Sequence, residues 1–91
     1  MHVTISGRRY RFIYVDDLDD ESDGWCDAPG VRDKAIRVRE TLEGRRRLEV
    51  EIHEMTHAAD WTKDEEHVDQ FAKDVSAVLW RLGYRIAADE Q

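Results

Sequence analysis

Three residues in one short segment could hold and use a metal ion. The segment is His53-Glu54-Met55-Thr56-His57. On a helix, residues four apart lie on one face, one turn from each other. Two imidazoles placed so can reach a single ion. Zinc takes imidazole nitrogen at about 2.0–2.1 Å and favours tetrahedral coordination. Glu54 follows the first histidine at the edge of the same face, where it can hold a water polarised by the ion and take its proton. Zinc brings the pKa of such a water toward roughly 7. Hydrolysis of a peptide or amide bond is the usual use of this arrangement.

A third protein ligand has to come from elsewhere. One extension of the motif runs H-E-x-x-H-x-x-G-x-x-H, but here Asp60 stands at the glycine position and Lys63 at the last ligand position. That scheme is excluded, which leaves the segment that follows. Glu65, Glu66 and His67 are the candidates there. With Val75 at the centre of the buried face and about 100° per residue, Glu65 and His67 fall near its two edges and Glu66 falls toward solvent. Glu65 is the expected ligand, with His67 second. Helix starts read from sequence shift by a residue or two, so Glu66 stays a candidate.

Stepping outward, β-prone residues Val3, Ile5, Tyr10, Phe12, Tyr14 and Val15 flank Ser6-Gly7-Arg8. They read as a hairpin over residues 2–6 and 9–15. Residues 16–30 hold an acidic run, Gly24, Pro29 and Gly30 and read as a long loop. Over residues 35–39, Ile36 and Val38 alternate with Arg37 and Arg39, a strand with one buried face. Leu48, Ile52, Met55 and Ala59 form an apolar stripe on a helix over residues 46–60. Thr62 with Glu65 makes a capping box for a second helix, and Asp64 is an alternative cap. That helix carries Val68, Phe71, Ala72, Val75, Val78, Leu79 and Leu82 and stops at Gly83. The tail 87–91 reads as loose. The sum is an α+β fold: a small, mostly antiparallel sheet of about three strands packed on two long helices.

The chain has 91 residues, which suits a single domain over 1–91. No apolar run approaches a membrane span, and the start MHVTISGRRYRF shows no signal-peptide pattern. Cys26 is the lone cysteine, so no internal disulfide forms, which fits a reducing cytoplasm. A net charge of −7 gives no support to general nucleic-acid binding. Asp16 to Asp23 and Arg45 to Arg47 read as solvated charge blocks. Residues 19–24 follow a D-x-E-x-D-G pattern, but Gly30 occupies the twelfth position where a calcium loop needs a bidentate Glu. Trp61 and Trp80 read as packing residues.

The stretch from Gly24 to Arg85 resembles the zincin-like metallopeptidases common in bacteriophages and bacteria, related broadly to the SprT-like and ImmA/IrrE-like groups. The resemblance rests on GWCDAPG, KAIRVR, LEVEIHEMTHAADW and DEEHVDQFAKDVSAVLWRLGYR. It implies a helix-borne zinc site, a short strand beside it and a protein substrate. His53, Glu54 and His57 carry over as ligand, base and ligand. In zincins with a helix-borne Glu ligand, an Asp four residues on often orients a ligand histidine, which places Asp69 beside Glu65. Aligning Phe71-Ala72 on the Ala-x-x-Phe-Ala run of ImmA/IrrE-like sequences instead puts His67 at the ligand position. The strand 35–39 is expected to line the cleft and pair with an extended substrate.

The reading that follows is a zinc-dependent hydrolase, a minimal metallopeptidase on a protein or peptide substrate, with Glu54 activating water. No oxyanion-stabilising group is assigned; His67, Tyr84 and Arg85 are candidates. The alternative is a non-catalytic, zinc-stabilised interaction module with an acidic partner-binding loop at 16–23. Oligomeric state is not legible.

Overall fold

The computed structural model describes residues 1–19 and 21–86. Four strands and two helices follow in order: β1 His2–Ile5, β2 Arg8–Val15, β3 Gly24–Cys26, β4 Ala35–Arg39, α1 Gly44–Ala59 and α2 Glu65–Arg81. The expected hairpin forms as β1 and β2, antiparallel, with Ser6 and Gly7 both at positive φ in the turn between them.

The sheet differs from the expected one. It has four strands in the order β1-β2-β4-β3, and β2 pairs with β4 in parallel. It is therefore mixed rather than mostly antiparallel. Parallel neighbours need a long connection, and residues 16–34 supply it. Within that stretch, read as loop from sequence, the chain lays down β3 at the sheet edge and turns back antiparallel into β4. Three residues are too few to show a period of two. Strand 35–39 thus sits inside the sheet, and β3 holds the edge by the cleft. The acidic segment is tied to this edge. Asp23 pairs with Arg39 at 3.3 Å and with Arg46 at 3.0 Å.

Alternation decides which sheet face is dry. Tyr10, Phe12, Cys26, Ile36 and Val38 point to one side and pack with Val50 and Ala58 of α1. α1 is the middle layer. It touches β1, β3 and β4 on one side and α2 on the other. That is why its buried residues, Val50, Ile52, Glu54 and Ala58, exceed the single stripe expected, and why Ala59 is exposed instead. Among the described residues, α2 packs on α1 and on no strand. Its buried face centres on Val68, Ala72 and Ser76, while Phe71, Val78 and Leu82 are exposed. From Val75 to Ala72 the face has turned by about 60°. Among the described residues, no helix is long and apolar enough to cross a membrane. The expected loose tail at 87–91 lies outside the described residues.

Candidate metal centre

Two adjacent stripes of α1 build the site. Val50, Glu54 and Ala58 follow i, i+4, i+8 spacing on the side facing the sheet, and Glu54 is only 7% exposed. One residue earlier in phase, His53 and His57 face the start of α2. Their ring centroids lie 5.0 Å apart.

The start of α2 is set by Asp64, whose carboxylate accepts the His67 backbone N–H at 2.7 Å. Asp64, not Thr62, is therefore the cap. Thr62 instead donates through both its N–H and its hydroxyl to Asp60 Oδ1. With Asp64 as cap, Glu65 is the first helical residue. Its Oε1 lies 2.8 Å from His53 Nε2 and its Oε2 lies 2.8 Å from His57 Nε2. One carboxylate thus spans both imidazoles, and the three ligand atoms lie within 4.8 Å of one another.

The rotated phase of α2 explains this choice. With the buried face centred on Ala72, Glu65 lies about 20° from its middle and His67 roughly 140° away. His67 is outside the ligand group; its ring stacks on Phe71, with centroids 6.5 Å apart. Glu66 is exposed and also outside it. Asp69 is near His53 without bonding to it. Its Oδ1 lies 4.0 Å from His53 Nδ1, while Oδ2 pairs with Lys73 at 2.9 Å.

Burial pushes the Glu54 carboxyl up to about 7, and the neighbouring Glu65 carboxylate adds to the shift. The slot it occupies is narrow because β3 passes directly over it at Gly24. A Cβ on Gly24 would meet Glu54 Oε2 at 2.7 Å and Val50 Cγ1 at 2.8 Å. Nothing in the sequence around Gly24 marks it for this role. Asp27 fixes the same edge strand. Its carboxylate accepts from the Trp25 indole at 2.9 Å and the Ala35 N–H at 3.0 Å, and pairs with Arg37 at 3.4 Å. Burial alone would raise the Asp27 pKa, but these partners outweigh it and hold it below the usual carboxylate range.

A cleft of about 700 Å³ opens over the group. Gly24, Trp25, Cys26 and Val31 form one wall, and Glu54, His57, Trp61 and Lys63 contribute to the other. Trp61 is therefore a wall residue, 45% exposed and 6.1 Å from the His57 ring, not a packed one. Cys26 lines the cleft outside the ligand group. Burial, with Glu54 and Asp27 nearby, pushes its thiol up to about 12. Tyr84 and Arg85, two oxyanion candidates, line a different groove of about 690 Å³ between the start of α1 and the end of α2. There Arg85 lies 3.3 Å over the Trp80 ring. No family model, curated protein or solved structure matches this chain.

Proposed function

We propose that this chain is a zinc-dependent hydrolase, a minimal metallopeptidase acting on a protein or peptide substrate. The observation that carries the reading is the convergence of His53, His57 and Glu65 beside a buried Glu54. Two imidazole nitrogens and one carboxylate oxygen are a donor set that zinc takes in hydrolytic sites, where a fourth position stays open. Those three residues would hold the ion. Bound there, zinc supplies Lewis acidity, polarising a carbonyl and acidifying water.

Glu54 supplies the proton chemistry. Its carboxyl, one residue from His53 and buried at the cleft, is placed to accept a proton and to return it. It takes the proton of the attacking water and later gives one to the leaving amine. The protein around it keeps bulk water away: Val50 and Ala58 flank it along the helix, and β3 covers it at Gly24. Trp25, Val31 and Trp61 line the cleft for substrate side chains, and β3 offers its outer edge to an extended chain.

A second reading draws on the fact that α2 packs on α1 alone. Zinc held by two residues of α1 and one of α2 would staple the outer helix to the fold, a structural role with no catalysis. The two readings separate with zinc-loaded wild type and Glu54→Gln on a broad peptide library. The hydrolase reading expects cleavage by wild type and a loss of about 10²-fold or more in the variant, with zinc content unchanged. A wild type that cleaves nothing leaves only the staple.

A further inference from the structure

Among the described residues, the outer helix carries a second apolar face that nothing covers. Phe71 is 45% exposed, Val78 57% and Leu82 69%. At about 100° per residue, Phe71, Val75, Val78 and Leu82 fall within roughly 40° of one line along α2. This stripe is distinct from the Val68, Ala72 and Ser76 face against α1.

Charge beside the stripe indicates what covers it. Asp74 and Arg81 are both exposed and both lie on its solvent-side flank, about 60–80° round from Phe71. Among the described residues, Arg81 has no acidic partner, and Asp74 contacts only the Gln70 amide, at 3.0 Å. A two-fold axis across the helix reverses its direction and sets the same flank of two copies side by side. With the axis near Val78, the middle of the stripe, Asp74 of one copy meets Arg81 of the other, and the symmetry repeats the pair.

We propose that α2 is the interface of an antiparallel homodimer of this chain, with Phe71, Val78 and Leu82 at its seam. The surface is self-complementary in both respects a two-fold contact requires: an apolar line and opposite charges placed symmetrically about its centre. Glu65 lies about 120° round the helix from Phe71, so the dimer leaves the His53, His57 and Glu65 group and its cleft open. His67, stacked on Phe71, belongs to this seam.

The experiment is sedimentation equilibrium of the full chain over a concentration series, with helix content followed by circular dichroism. Wild type should reach about twice its monomer mass of 10.7 kDa. Val78→Glu should stay monomeric with helix content unchanged, since the side chain faces solvent within one copy. Asp74→Arg and Arg81→Asp should each weaken association by roughly tenfold or more, because two attractive pairs become two repulsive ones. The combined reversal should restore it. A monomeric wild type at every concentration overturns the proposal. So does association that the single reversals leave unchanged, or that the combined reversal fails to restore.

Discussion

Gly24 and Glu54 lie in contact across the boundary between the edge strand and the first helix, so closely that a Cβ at Gly24 would come within 2.7 Å of the Glu54 carboxylate. Glu54 is only 7% exposed, and the strand passes that close because it has no side chain there. Gly24→Ala should therefore force Glu54 or Val50 out of place. Overpacking of this kind costs about 1–3 kcal/mol, read as a loss of unfolding free energy in urea. Zinc affinity should change little, since His53 and His57 lie on the other stripe of α1 and Glu65 lies on α2. An alanine variant as stable as wild type would show that the strand has room to move.

The same burial gives Glu54 a pH signature. Its pKa in the fold is about 7 against an ordinary 4.5, so the folded chain keeps a proton that the unfolded chain releases between those values. Stability then falls as pH rises through that window, and the penalty is complete above about pH 7. Glu54→Gln removes the ionisation. In chelator-treated protein the variant should be more stable than wild type at about pH 8, by on the order of 3 kcal/mol. The gap should shrink to below about 1 kcal/mol near pH 5. Urea unfolding at the two pH values checks this; an equal gap at both would mean that Glu54 does not titrate in this range.

Three neighbours on one helical turn make a sharp comparison for the third ligand. Glu65→Ala should weaken zinc binding by more than about a hundredfold, beyond the usual effect of residues outside the ligand shell. Glu66→Ala and His67→Ala should bind within a few-fold of wild type in a competition assay with a chromogenic chelator. Loss of zinc in the His67 variant with the Glu65 variant unaffected would reverse the assignment.

Local pattern carried most of the fold and half of the site. The hairpin, strand 35–39 and both helices are legible because each is long enough to show a period. β3 is not, because three residues show none, and with it went the parallel pairing of β2 with β4. Among the motif residues, His53 and His57 need only helical spacing, and the structure sets their ring nitrogens 2.8 Å from Glu65. The phase of α2 was harder to read. Its apolar residues outnumber the buried ones, since Phe71, Val78 and Leu82 face outward and polar Ser76 lies inside. A sequence average therefore pulls the centre of the face toward Val75 and makes His67 look closer to the site than it is. Gly24 carried no readable signal, because its role depends on a contact with Glu54 thirty residues away.

Direct measurement of metal stoichiometry tests the central claim. Chelator-treated protein titrated with zinc by calorimetry, backed by native mass spectrometry, should bind about one ion per chain. His53→Ala and His57→Ala should each abolish that binding, while Glu54→Gln should retain it. A wild type that takes up no zinc, or that binds it equally well without His53 and His57, would contradict the account.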